Sequence, residues 1–458
     1  MIFCAYLGRF SAVSCDPVAT APGTDCITCP RTQTRAQAEY AFLKPIDCRI
    51  IFENLNRGMI SISEAIQIVM ARTARLSAEE VAIDFSRGRI LAEDIVADTD
   101  LPPFDRAQMD GYAVRAADVA RVPAHLRIVG ESAAGAGWHH EMKGGEAVRI
   151  MTGAPVPTGA DAVQQVELTR ENDSQVEILE PVELGRSIVK RANEIKSGEI
   201  VLRAGEEINA AMIATLASFG YAKVKAGARP KVAVMATGSE LVDVDQKPGQ
   251  DQIRDSNNYT IAAYAELSNA MVERLPLAGD DPEELKRQIS RAAEHTDVLI
   301  TSGGVSMGVY DFTKAALKEL GAEIFFERVA LRPGKPTVFA RLGNTLVFGL
   351  PGNPVSASVT FNLFVRTALR AMQGATETTL PVEHAVLARH LKGSIDRESY
   401  LPATLQTDEN GLLVAEPLKW GGSSDFVSFA RATALINVPA GLRTVAAGST
   451  VRVVSLPN

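Results

Sequence analysis

The chain has 458 residues, is 46% hydrophobic and carries a formal net charge of -8. That length exceeds one ordinary domain and predicts roughly two to four. An acidic balance with no long Lys/Arg block argues against a general nucleic-acid surface, and no apolar run reaches the roughly 18 residues that span a bilayer. Anionic ligands would have to bind in a local basic pocket.

Residues 1–58 read as a disordered extension, or an upstream-extended start, because Pro, Thr, Cys and Arg mix there without periodicity. All five cysteines (Cys4, Cys15, Cys26, Cys29 and Cys48) lie within it, so the body is expected to use neither disulfides nor thiolate-bound zinc. Cys26-Ile27-Thr28-Cys29 is half of a zinc-ribbon pattern without a second half. Arg9 interrupts the opening apolar residues where a signal peptide needs an unbroken core, which favours a cytoplasmic location.

Residues 59–103 predict a helical linking segment. Ser61 opens one helix, and a second amphipathic helix is expected from Glu79 to Ile95, stopped before Pro102 and Pro103. Residues 104–197 alternate short Val/Ile runs with glycines and predict a β-rich domain, interrupted by the rigid loop Met151-Thr152-Gly153-Ala154-Pro155 and the polar loop Arg191 to Glu199. Residues 198–229 complete the linking segment, with a helix from Ile208 to Phe219 closed by Gly220.

From 230 to 374, strands and helices alternate, which predicts a doubly wound parallel sheet with helices on both faces. Strands are expected at Lys231–Ala236, near Val272, at Asp297–Ile300 and near Ile324, Val338 and Leu346. Helices are expected at Asn257–Leu267, from Pro282 to about Glu294, from Asp311, and from Val355 to Met372. Residues 375–458 predict a small β-barrel-like domain, because Val/Leu runs are separated there by Gly, Asn-Gly and Pro.

Open α/β sheets bind ligands where parallel strands end. Thr301-Ser302-Gly303-Gly304-Val305-Ser306-Met307-Gly308 stands between a strand and a helix, where the glycines let backbone N–H groups approach an anion. Glu240 and Asp280 follow the neighbouring strands, and Asp311 would cap the next helix. Each alone reads as a cap; together they read as oxygen ligands for a hard cation such as magnesium. Arg328, Arg332 and Lys335, fixed beside prolines, suit an oxyanion. Pro351-Gly352-Asn353-Pro354 brings another glycine turn to a helix N-terminus.

Phe104-Asp105 with Met109-Asp110-Gly111-Tyr112-Ala113, Met151-Thr152-Gly153-Ala154, Thr301 to Ser306, Pro333-Gly334-Lys335-Pro336 and Leu350-Pro351-Gly352-Asn353-Pro354 occur in an order that resembles the molybdopterin molybdenumtransferase family, the MoeA and gephyrin E-domain proteins. The likeness runs from about Met59 to the C-terminus, and the Cys-bearing extension has no counterpart in it. It implies an elongated homodimer with the site between subunits, molybdate inserted into adenylylated molybdopterin with release of AMP, help from magnesium, and a molybdopterin adenylyltransferase as partner.

By that resemblance Asp110, Thr152, Glu194, Glu240, Asp280 and Asp311 are catalytic, with the last three also holding the metal. Thr301, Ser302, Gly303, Gly304, Ser306, Arg328, Arg332, Lys335, Pro351, Gly352, Asn353 and Pro354 bind substrate. Glu194 stands where the family often has Asp, and Arg328 and Arg332 where it often has Lys. The rival expectations are an adenylyltransferase of molybdopterin, a tungstate-inserting paralogue and a non-catalytic scaffold.

Overall fold

The structure is a computed structural model that describes residues 58–279, 281–304 and 312–457. The cysteine-bearing extension, Asp280, the second half of the Gly-rich loop with Ser306, and Asp311 lie outside the described residues.

Helix α1 (Ile62–Arg72) begins as its sequence demands: the Ser61 side chain accepts the Glu64 N–H and Arg72 stands in the last turn. Its buried face of Ile62, Ala65 and Val69 joins the core of the α/β sheet instead of a separate linking core. The expected helix over Glu79 to Ile95 is a correction. Residues Ala78–Ala82 form strand β1, a single 3-10 turn follows at Ile83–Phe85, and Ile95–Val96 is again extended. Gly88 breaks the segment with φ +79, and its Cα faces the Asn269 side chain at 2.9 Å from where a Cβ would stand. The flanking residues pair across the chain, β1 running antiparallel to Lys223–Gly227; long-range pairing overrides local helical periodicity.

Between these, Ile200–Leu202 pairs antiparallel with Ile95–Val96, and Leu101 bridges to Ile195. The segment so enclosed carries a six-stranded sheet. Its strands are β2 (Gly111–Val114), β3 (Ala124–Ser132), β4 (Glu146–Ile150), β5 (Ala162–Gln165), β6 (Thr169–Asn172) and β7 (Gln175–Ile178), in the order β5-β2-β4-β3-β7-β6. Tyr112, Val114, Ala147 and Val176 fill one side and Ala113, Val148 and Val163 the other, the period-2 alternation that a two-sided sheet requires. Helix α2 (Ala210–Ser218) follows, capped by Asn209, and leads to β8 (Lys223–Gly227), the partner of β1.

The α/β unit has strands β9 (Lys231–Ala236), β10 (Met271–Arg274), β11 (Val298–Ser302), β12 (Glu323–Phe326), β13 (Val338–Leu342) and β14 (Thr345–Leu350), ordered β10-β9-β11-β14-β13-β12. The first four are parallel, as expected. The last two are antiparallel, so the sheet is mixed. The reason is local: Leu342 pairs with Thr345 across Gly343-Asn344, and Gly343 takes φ +58 to close the two-residue turn. Helices α3 (Asn257–Leu267), α4 (Pro282–Ala293) and α5 (Phe312–Glu319) lie along the sheet. The long closing helix starts as α6 (Pro354–Thr360), widens to a π segment at Phe361–Val365 and continues as α7 (Arg366–Met372). One sheet face packs Phe339, Phe348, Phe361 and Phe364; the other packs Met235, Leu285, Ile289 and Leu317.

The C-terminal region forms a closed barrel from β15 (Val382–Leu387), β16 (Glu398–Thr407), β17 (Leu413–Pro417), β18 (Ala434–Val438) and β19 (Thr450–Ser455), since β16 pairs with both β17 and β18. Closure leaves the barrel no free edge among these strands. The two-residue strand Leu331–Arg332 adds alongside β16 and fastens the barrel to the α/β unit. Among the described residues no helix is long and apolar enough to cross a membrane.

Candidate active site

At the C-terminal ends of the parallel strands lies a cavity of about 1420 Å³. Thr237 to Glu240 follow β9, Ser302 to Gly304 end β11, and Pro351 to Pro354 end β14; all line it. The glycines are set by geometry. Gly303 has φ +94, and a Cβ there would stand 2.3 Å from the Thr237 carbonyl oxygen. Gly304 also has positive φ, at +61. A Cβ on Gly352 would lie 3.5 Å from the Gly303 Cα, so the two glycine loops run against each other. Helix α6 begins at Pro354, which has no N–H, with Asn353 at its cap position and no side-chain cap hydrogen bond.

A second cavity, of about 450 Å³, shares Pro336, Pro351 and Asn353 with the first. Arg332 and Lys335 enter it from the α/β side, and Arg397, Trp420 and Gly421 to Ser423 from the barrel. Arg332 is held by a 2.9 Å hydrogen bond to the Gly393 carbonyl. Asn353 donates to the Ser423 Oγ at 3.0 Å, and the Val355 N–H donates to the Ser423 carbonyl at 3.0 Å. The barrel therefore touches the same turn that lines the larger cavity. Three cations around one small cavity give it a local positive potential in an acidic chain.

Several sequence-derived candidates stand elsewhere. Thr301 is fully buried, its Oγ1 has no partner among the described residues, and it lines neither cavity. Successive strand residues face opposite sides, so Ser302 takes the cavity side. Arg328 lines neither cavity; its carbonyl accepts the Ile60 N–H at 3.2 Å. Asp110 and Thr152 meet on the Gly-rich sheet, where the Thr152 N–H and Oγ1 both donate to Asp110 Oδ1, at 2.7 and 2.8 Å. That N–H, with the hydroxyl second, holds the Asp110 carboxyl below its ordinary pKa. Glu194 faces Arg106 at 3.5 Å. Asp110, Thr152 and Glu194 line neither cavity.

The sequence reading missed Arg254, Asp255 and Asn257, which line the larger cavity, and Arg397 and Trp420 in the smaller one. Burial pushes the Asp255 carboxyl up, although it accepts the Asn258 N–H at 3.1 Å. The run Arg254-Asp255-Ser256-Asn257-Asn258 carried only the signal of a helix start, and Trp420-Gly421-Gly422 only that of a turn. Among the described residues no group of three His, Cys, Asp or Glu side chains could hold a metal ion.

A mixed α/β sheet with glycine loops and a cationic annex at its strand ends defines an anion-binding domain, here joined to a Gly-rich sheet and a barrel. Family models place it further: residues 60–220 match the MoeA N-terminal region (domain I and II), 233–371 a probable molybdopterin binding domain, and 384–456 the MoeA C-terminal region (domain IV). Molybdopterin molybdenumtransferase from Staphylococcus aureus (strain COL) is 36% identical over 402 residues, covering 87% of this chain and 96% of that one. The crystal structure of a molybdopterin biosynthesis MoeA protein from Pyrococcus horikoshii OT3 superposes with a TM-score of 0.76 at 28% identity, covering 87% of this chain and 100% of the other. A second Pyrococcus structure of that description gives 0.71 at 32% identity, covering 87% and 99%. The chain belongs to the molybdopterin molybdenumtransferase family, transferases of molybdenum cofactor biosynthesis.

Proposed function

We propose that the chain inserts molybdate into adenylylated molybdopterin and releases AMP. The observation that carries this reading is the pair of adjoining cavities, one edged by glycine loops and one by cations, which share the Pro351–Asn353 turn. Two anions must meet in this reaction, and two compartments with a common wall would hold them side by side. Backbone N–H groups of Gly304, Gly352 and Asn353, which line the larger cavity, bind the phosphates of the adenylylated pterin. Arg332, Lys335 and Arg397 bind the smaller oxyanion, the guanidinium groups through paired N–H donors.

Magnesium is part of the proposal. Glu240 and Asp255 bring carboxylate oxygens to the lining of the larger cavity, a donor type that suits a hard cation. Asp280 and Asp311 complete the ligand set. Bound there, the ion would neutralise phosphate charge as the anhydride opens.

Asp110, Thr152 and Glu194 position molybdate or the water that attacks the anhydride. Asp110 and Thr152 on the Gly-rich sheet and Glu194 in the loop beside it line neither cavity, which supports a homodimer in which one copy's Gly-rich sheet faces the other copy's cavities. The same reading includes a cytoplasmic location and a molybdopterin adenylyltransferase that delivers the substrate.

The test is reconstitution of the purified chain with adenylylated molybdopterin, magnesium and molybdate, following AMP. Molybdate-dependent AMP release is expected. ATP consumption without molybdate would identify an adenylyltransferase, preference for tungstate a paralogue, and no turnover with stable protein partners a scaffold.

A further inference from the structure

We infer that Asn257 is a positioning residue that sets the spacing between the two glycine loops of the larger cavity, an inference that rests on the proposed function. Its side chain is buried at the first turn of α3. The carboxamide Nδ2 donates to the Ser302 Oγ at 2.7 Å and to the Gly352 carbonyl at 2.7 Å. A carbonyl can only accept, so the second contact fixes which end of the amide points at the loops. Both N–H bonds are thereby used, one on each loop.

Ser302 extends the link. Its Oγ accepts from Asn257 and stands 3.4 Å from the Pro351 carbonyl, to which it donates. Its hydroxyl thus ties β11 to β14, and the expected contact of Ser302 with substrate passes to its backbone and to the glycines behind it. The glycine chains touch with no side chain between them, Gly303 Cα lying 3.5 Å from the Cβ position of Gly352. β11 and β14 pair as far as Ser302 and Leu350, and the Gly303 N–H, donating to the Leu350 carbonyl at 3.2 Å, is the last backbone bond between the two chains among the described residues. Beyond that last rung, the side chain of Asn257 spans both.

A phosphate bound between loops is sensitive to their separation, and a shift of about 1 Å in a reacting group can lower a rate by about a hundredfold. Asn257→Ala is therefore expected to lower kcat for AMP release by about tenfold to a hundredfold, with KM for molybdate unchanged. Asn257→Asp keeps the shape but turns an acceptor toward the Gly352 carbonyl, and is expected to lose as much; it is also the second variant should Asn257→Ala not fold. In a double-mutant cycle with Ser302→Ala, the two losses are expected to be strongly non-additive, because both remove one link. A residue that served stability alone would lower the fraction of folded enzyme and leave kcat per folded molecule unchanged.

Hydrogen exchange separates this inference from the function on which it rests. Both variants are expected to speed amide exchange at Ser302–Gly304 and at Gly352–Asn353 together, whether or not the wild-type chain transfers molybdenum. If wild type releases no AMP, the proposed function fails while the exchange result still judges the link. If exchange quickens only at the start of α3, or the variants keep kcat within twofold of an active wild type, the role assigned to Asn257 is overturned.

Discussion

Replacing Gly303 with alanine tests the loop geometry most directly. The residue sits at φ +94, where a side chain is strained, and the new Cβ would stand 2.3 Å from the Thr237 carbonyl oxygen. The backbone conformation alone costs about 1–3 kcal/mol. Forcing β11 away from the Thr237 turn adds about 1–3 kcal/mol, the usual range for overpacking. The sum of about 2–6 kcal/mol cannot relax cheaply, because the struck atom is backbone and the Thr237 N–H is itself bonded to the Ser302 carbonyl at 2.9 Å. Gly352→Ala is the matched control. Its φ is not positive, and among the described residues its new methyl would meet only the Gly303 Cα at 3.5 Å, ordinary van der Waals contact. Urea unfolding followed by α/β-sheet signals should show a large fall in midpoint for Gly303→Ala and little change for Gly352→Ala. Equal midpoints for Gly303→Ala and wild type would refute the account of why glycine stands there.

Four further outcomes follow from the same structure. Asp110→Asn should abolish molybdenum insertion while leaving binding of adenylylated molybdopterin intact, measured by AMP release beside calorimetry. Thr152→Ala should let the Asp110 pKa rise toward its ordinary value, moving any acid limb it sets in the rate profile to higher pH; the remaining Thr152-position N–H keeps the rise partial, and carbon NMR titration of Asp110 reads it directly. Lys335→Ala and Arg397→Ala should each raise the KM for molybdate by about tenfold or more, the scale of one lost charge-assisted hydrogen bond, with the difference shrinking as salt is added. Asp255→Asn should raise Tm at neutral pH: burial raises this carboxyl's folded pKa, so its favourable contribution exists at acid pH and is lost as pH climbs through that pKa. The gain in Tm should therefore narrow on acidification.

The parallel half of the α/β sheet was readable because each strand ended in a signal with a mechanism. Lys231–Ala236 broke at Thr237-Gly238, and Pro282 stood at the first position of α4 behind Asp281, whose side chain accepts the Glu283 N–H at 3.0 Å. The antiparallel edge was harder, since Gly343-Asn344 had to be recognised as a two-residue turn inside an alternating pattern. Glu79 to Ile95 misled because its pairing partners lie more than a hundred residues away, and helical period was the only local information. The larger cavity's loop residues were legible as strand-end glycines. Asn257, Arg397 and Trp420 were not: their meaning is contact with remote turns, which no spacing within the chain encodes.

The antiparallel pairing of Ile95–Val96 with Ile200–Leu202 has a wider consequence. The chain leaves for the Gly-rich sheet and comes back through one double-stranded neck, fastened again at Leu101 and Ile195. A segment attached in this way is a cassette with both cut ends side by side. Bridging Val96 to Ile200 by a short turn would excise it without opening any gap in the backbone of what remains, so the two cavities and the Asp110 pair could be inherited, lost or exchanged as separate units.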